Sequence, residues 1–276
     1  MRLTAFCLCL AVVISGGCAA NEKMIEPQHG PITELTAAEA DARAEAVRRD
    51  PLAYLKKVTE TCRALDSYRL SFTRYERRGL LRILYGPEHI DCWFRREPFS
   101  IRMKWTDKDT KYGESVYIAG RHNNKVRFVP RIWMPPLLPG INTIDLDTPV
   151  IWGEAKRPLT AFGLQRLMEQ TMASVDGAGE DLILRYDGLL RLEESGTAVH
   201  HLHIELPASR YKVNVQELYV SIATDLPAGT VLKFPSGTID AAYFYAKIDQ
   251  SSPVTDADLV MDYERERMRS KGSGTE

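Results

Sequence analysis

From Asp66 onward the apolar residues of this chain recur at every second position, and that rhythm most limits what it can fold into. Tyr68, Leu70 and Phe72 alternate with Arg69, Ser71 and Thr73. Ile90, Cys92 and Phe94 keep the same even parity. Successive side chains of a strand point to opposite faces, so each set marks one face of a sheet. Then the parity flips, because Phe99, Ile101, Met103 and Trp105 are odd. One straight strand cannot make that switch without turning its apolar set toward water. Arg96, Glu97 and Pro98 lie between the two sets, and Pro98 cannot donate to a strand ladder. The pattern predicts two strands joined there by a tight turn or bulge.

The same reading extends along the chain. Val116 and Ile118 form the next strand, and Asn123-Asn124 suits a hairpin turn, since Asn tolerates positive φ. Val126 and Phe128 continue beyond it, and residues 131–149 read as irregular and proline-rich. Leu164, Leu167, Met168 and Thr171 then share a helical stripe. Alternation returns in Leu182 and Leu184, in Leu202, Ile204 and Leu206, in Leu218, Val220 and Ile222, and in Tyr243 and Tyr245. Asp225-Leu226-Pro227 and Pro235-Ser236-Gly237 look like turns. Upstream, Thr36 and Glu39 have capping-box spacing before an Ala-rich helix to Arg49. Asp50-Pro51 then starts a second helix with Leu52, Leu55, Val58, Cys62 and Leu65 on one face. Consecutive strands joined by turns pair antiparallel. The expected class is mainly β with some α, a large curved antiparallel sheet covered by helices near 51–65 and 159–174. The charged end from Glu264 is expected to fray.

The N-terminus reads as a secretory signal. Arg2 precedes an apolar run from Leu3 to Ile14, and Ser15, Gly16, Gly17 and Cys18 follow. That run is too short to span a bilayer, which needs ~20 residues. Two cleavage sites are compatible with it. One makes Cys18 an acylated first residue, with Ala19 behind it permitting sorting to the outer membrane. The other falls after Ala20 and leaves a soluble periplasmic protein. The expected organisation is a signal peptide at 1–17, a tether at 18–35, one domain at 36–263 and a charged tail at 264–276.

The 276 residues carry a formal charge of −1, which leaves no electrostatic footprint for nucleic acid. Basic residues crowd at 74–82 and 95–104, but acidic ones interleave, so a solvated strand face is expected. Of five cysteines, Cys7 and Cys9 leave with the signal and Cys18 is the acylation candidate; Cys62 and Cys92 remain, both on apolar faces, where buried free thiols are expected. His201, His203 and Glu205 would share a strand face opposite Leu202, Ile204 and Leu206. Two His and a carboxylate can hold zinc, yet no further ligand or general base is visible elsewhere, so solvent-facing polar residues are expected. Neither a nucleophile elbow nor a phosphate loop appears, and no cofactor is implied.

The stretch from Phe94 to Trp105 resembles an uncharacterised family of exported bacterial proteins. The stretch from Glu114 to Arg121, and the Pro158-Leu159-Thr160 and Gly163-Leu164 pairings, fit the same family. That family is in turn similar to the lipoprotein-carrier fold of LolA and LolB. The resemblance implies an unclosed half-barrel, plugged by two or three helices, around an apolar cavity for acyl chains. In the carriers an Arg before the turn Pro helps latch the lid helices. Here Glu97 holds that position and Arg96 is one further back, so Arg95, Arg96 and Glu97 are expected to form a local ion pair.

The cavity candidates are therefore Tyr68, Leu70, Phe72, Phe94, Phe99, Ile101, Met103, Trp105, Val116 and Ile118. Trp133, in the apolar proline-rich loop of residues 129–140, is expected at the rim. The same strand residues could equally be packed core. The expected function is that of a non-enzymatic envelope lipoprotein binding a lipid or acyl chain, held on a membrane surface through Cys18. Two alternatives stand beside it: a scaffolding lipoprotein that binds other envelope proteins, and a metal-dependent hydrolase using His201 and His203.

Overall fold

Among the described residues the alternating segments form a single sheet of 11 strands. The computed structural model describes residue 25 and residues 35–79, 81–131, 139–193 and 195–272. The signal, Cys18, most of the tether and Trp133 lie outside the described residues.

Helix α1 (Ala37–Arg49) starts at the expected capping box: Glu39 N–H donates to the Thr36 hydroxyl at 3.3 Å, and Thr36 N–H to the Glu39 carboxylate at 3.0 Å. Helix α2 (Pro51–Arg63) starts on Asp50, which accepts Ala53 N–H at 2.8 Å, with Pro51 in the first turn. It buries Leu55, Val58 and Cys62.

Six strands follow as a meander: β1 (Ser67–Arg78), β2 (Ile83–Arg95), β3 (Ser100–Trp105), β4 (Tyr112–Ile118), β5 (Val126–Pro130) and β6 (Asn142–Ile144). After α3 (Thr148–Ile151) and α4 (Leu164–Ala178) comes a second meander: β7 (Ile183–Arg191), β8 (Ala198–Glu205), β9 (Val215–Ser221), β10 (Pro227–Lys233) and β11 (Ile239–Asp249). The strands lie in the order β6-β5-β4-β3-β2-β1-β11-β10-β9-β8-β7, every neighbour antiparallel. Pairing of β1 with β11, with Phe72 opposite Tyr245, fuses the two meanders. Strands β6 and β7 stay at opposite edges, so the sheet is not closed. It curls nonetheless, because Val126 of β5 and Leu202 of β8 belong to one core with α2 and α4. This is the expected plugged half-barrel.

The parity switch falls where the sequence placed it. Strands β2 and β3 pair around the turn at 96–99, with Phe94 opposite Ile101 and Cys92 opposite Met103. Asn123 and Asn124 adopt φ of 57° and 55° in the β4–β5 turn.

Several expectations need correction. The segment 131–149 is not wholly irregular, since it contains β6 and the start of α3. The helix expected from residue 159 begins at Leu164, because residues 159–161 form a separate tight turn. The end of the chain does not fray at Glu264: α5 (Asp262–Gly272) runs through it, and Glu264 binds Arg127 at 2.5 Å.

The basic runs are not simply a solvated face. Arg102 is 2% exposed, lies over the Trp93 ring at 4.4 Å, and bonds Glu114 at 3.0 Å and Asp262 at 2.8 Å. Nor do Arg95, Arg96 and Glu97 form a local ion pair. Arg95 reaches Asp256 at 2.9 Å, while Arg96 bonds Asp66 and the Arg63 carbonyl at the end of α2. Arg96 thus ties the strand turn to a helix even though Glu97 stands next to the proline. Cys62 and Cys92 are free buried thiols, and burial pushes Cys62 up to about 12.

Candidate ligand cavity

Curling leaves a space of about 430 Å³ between the concave face of the sheet and a roof made by α4 and residues 149–163. Pockets of ~300–1,000 Å³ are the usual size for small-molecule sites. Phe72, Met103, Trp105, Val126, Phe128 and Tyr245 form its floor, and Leu159, Phe162 and Leu167 its roof. Cross-strand pairing explains the floor. Met103, Ser115 and Phe128 are successive partners across β3, β4 and β5, so all three face the same way. Among the described lining residues only Arg157 is exposed, which puts the cavity's opening beside it.

One wall is charged, which the sequence pattern did not reveal. Arg74 and Arg78 both grip Glu88, Arg78 at 2.8 Å. Burial opposes ionisation of Glu88, but the two guanidiniums outweigh it and hold the carboxyl at about 2. Glu76, 4% exposed, accepts the Tyr243 hydroxyl at 2.7 Å. Its other oxygen has no hydrogen bond and stands 3.8 Å from Arg74. Lys111 and Glu154 pair at 2.6 Å on the same side. A pairing slip between Arg74 and Glu76, where β1 meets β2, accompanies this change from apolar to charged lining. The wall is nearly neutral, whereas Arg157 at the opening has no ion pair among the described residues.

The sequence candidates separate into three groups. Phe72, Met103 and Trp105 line the space. Tyr68, Leu70, Phe94 and Ile101 share their face but are packed core, with Tyr68 stacked on Phe94 at 4.7 Å and Phe99 edge-on to Phe94 at 5.6 Å. Val116 and Ile118 are a correction. They point away from the cavity and pack under Val254, Leu259 and Met261 of the C-terminal arm. Alternation marks a face as apolar but does not say which face of the sheet it is. Phe128, Phe162, Leu167 and Tyr245 were missed as lining residues, although each lay in an apolar stretch.

His201 and His203 do project oppositely to Leu202 and Ile204, as expected. They are not simply solvated, however, since His203 is 8% exposed and both bond Glu217 of β9, His201 at 2.9 Å. They occupy the outer face, remote from the cavity.

Near the opening, two turns meet. Arg78 donates to the Glu154 carbonyl at 2.6 Å, which draws the β1–β2 hairpin against the segment after α3. Leu81 in the hairpin, Ile151 at the end of α3 and Trp152 just after it are 80%, 79% and 50% exposed. Among the described residues no helix is long and apolar enough to cross a membrane.

Residues 65–264 match the DUF1571 family, described as a protein of unknown function, and the chain belongs to that family. No curated protein matches it. Among solved structures it is similar to MucB, at 15% identity and a TM-score of 0.46, covering 82% of this chain and 63% of that one. The chain thus spans less than two thirds of MucB. It is also similar to the Mycobacterium tuberculosis lipoprotein LppX, at 12% identity and a TM-score of 0.44, covering 75% of this chain and 100% of that one. A LolA superfamily protein from Nitrosomonas europaea matches at 10% identity and a TM-score of 0.30, covering 76% and 97%.

Proposed function

We propose that this protein is a non-enzymatic carrier of the bacterial cell envelope that holds an acyl chain of a lipid in its half-barrel. The observation that carries the proposal is the cavity, which has an apolar floor and roof where an ordinary sheet–helix core would be filled. Arg157 at the opening suits an anionic headgroup, with the tail against Phe72, Met103 and Phe128. The exposed Leu81, Ile151 and Trp152 near that opening give the rim an edge that would rest on a bilayer while lipid passes. Cleavage before Cys18 and its acylation would keep the protein at the membrane, each buried CH₂ adding ~0.8 kcal/mol.

Native mass spectrometry of protein purified in gentle detergent tests this. Retained lipid, displaced by a fluorescent fatty acid, is expected. A protein that retains none and takes up none is a scaffold with a void, not a carrier. The hydrolase alternative finds no support in the cavity, because His201 and His203 lie across the sheet from it.

A further inference from the structure

Three neighbouring strands gather metal-ligand side chains on the outer face of the sheet. His201 and His203 project from β8, and Glu217 of β9 stands directly opposite His203. Pairing of β7 with β8 runs from Tyr186–Leu202 to Gly188–His201, so Asp187 is the extra residue of a bulge. Bulges re-aim side chains, and Asp187 joins the group: ligand atoms of Asp187, His203 and Glu217 all lie within 4.8 Å of one another. His201 Nε2 lies 2.9 Å from Glu217, and His203 Nδ1 lies 3.1 Å from both of its oxygens.

The hydrogen bonding at His203 is incomplete. If Nδ1 donates to Glu217, then Nε2 is a bare acceptor, and it is buried with no hydrogen bond. The nearest carboxylate, Glu205, is 3.7 Å from it and cannot donate when ionised. A metal on Nδ1 removes the conflict. The ring proton then sits on Nε2 and points toward Glu205, the usual carboxylate–histidine–metal arrangement.

We propose that His201, His203, Glu217 and Asp187 form a zinc site that staples the edge strand β7 to β8 and β9. Imidazole nitrogens with carboxylate oxygens are a zinc-type donor set. Two ligands of one zinc lie at most about 4.2 Å apart, so small side-chain movements bring Asp187, His203 and Glu217 to that spacing, while His201, outside that group but bonded to Glu217 at 2.9 Å, turns further to join them. Without metal, Lys233 at 3.6 Å from Glu217 and the Arg185 fork on Asp187 at 2.7 and 3.2 Å balance the two carboxylates. Zinc displaces those cations, so moderate affinity is expected. The edge of an open sheet has strand partners on one side alone, and a cross-strand metal supplies the missing restraint.

The test is calorimetric titration of untagged, chelator-stripped protein with zinc chloride. About one zinc per chain, bound at roughly micromolar Kd or tighter, is expected. His203→Ala and Asp187→Asn should each weaken binding by about tenfold or more. Asp187 is exposed, so its variant folds and decides the matter if His203→Ala does not fold. His89→Ala, on β2 and bonded to Asp107, should leave binding unchanged. Cobalt substituted for zinc should show visible absorption that the Asp187 variant alters. Absence of zinc uptake at roughly a hundred micromolar, or uptake that survives both Asp187→Asn and His203→Ala, overturns the site. Neither result touches the cavity on the other face, so lipid retention is judged separately.

Discussion

The Tyr68 hydroxyl accepts the Leu164 backbone N–H at 2.9 Å, so a residue of the sheet caps a helix of the roof. The residue before α4 is Gly163, at φ 129°, which has no side chain to do this. A Cβ there would stand 3.2 Å from the Phe94 ring and 3.4 Å from the Tyr68 hydroxyl. Strand and helix therefore meet at a point where glycine and tyrosine depend on one another. Tyr68→Phe removes the cap but keeps the ring, and should cost ~1 kcal/mol. Amide exchange in the first turn of α4 should rise more than in α2. Equal change in both helices would deny Tyr68 a local role.

Arg102 is a second such anchor, on the other face. Its guanidinium holds Glu114, Asp262 and the Asp258 carbonyl, and so is the most buried of several cations that tie the C-terminal arm to the sheet. Removing one partner of a buried charge pair leaves the rest uncompensated, at ~3–5 kcal/mol. Arg102→Met should lose stability on that scale. Limited proteolysis should then cut first within residues 250–262, and a cut elsewhere would separate Arg102 from the arm.

Acid sensitivity has several causes with the same sign, of which His200 acts at the highest pH. Burial pulls the His200 imidazole from its ordinary 6.5 to about 4. Its folded value is depressed, so the unfolded chain takes up the proton first, and stability is lost as pH falls from 6.5 toward 4. The Glu88 carboxyl is also depressed, from 4.5 to about 2, so its contribution is lost between those values. His200 should account for up to about 3 kcal/mol. In His200→Gln the urea midpoint should change little between about pH 7 and pH 5 and fall below that through Glu88 and Glu217. An unaltered slope above pH 5 would mean His200 is not the group.

Ser115 and Val116 test the cavity by parity. Ser115 lines the space and Val116 lies on the opposite face. Ser115→Phe should fill the cavity and reduce fatty-acid uptake by about tenfold or more, with a stability change below ~1 kcal/mol. Val116→Ala should cost about 1–2 kcal/mol and leave uptake intact. If both variants bind alike, the ligand lies elsewhere.

How much of this was written in the sequence depends on the kind of signal. Alternation and the flip at Arg96-Glu97-Pro98 placed β1, β2 and β3 because strand parity is a local property. It could not tell the inner set Met103 and Trp105 from the outer set Val116 and Ile118, since both faces of β4 are buried, one by the core and one by the C-terminal arm. Arg74, Arg78 and Arg102 looked like surface charge because their partners Glu88, Glu114 and Asp262 come from other strands or from the far end of the chain. Glu217 was invisible beside His201 and His203 for the same reason. The size of the cavity is a property of packing, and no residue spells it.

Leu81 is exposed on the β1–β2 hairpin and Ile151 and Trp152 at the end of α3, two segments that Arg78 and Glu154 hold together, and Arg157 at the opening carries an unmatched positive charge among the described residues. An apolar side chain moved fully out of water contributes about 1.5 kcal/mol or more, roughly tenfold in partitioning. Trp is suited to the level of the headgroups, where its ring is apolar and its N–H can bond. The protein without an acyl anchor should therefore bind vesicles containing phosphatidylglycerol better than vesicles of phosphatidylcholine alone. Ile151→Ser with Trp152→Ser should reduce binding to both by about tenfold, whereas Arg157→Gln should remove mainly the preference for anionic lipid. Transfer of a fluorescent lipid between vesicles should slow with the Ser pair, while uptake from detergent stays normal, because the cavity itself is unchanged. If the Ser pair leaves vesicle binding and transfer at wild-type levels, the rim does not meet the membrane, and loading takes place without it.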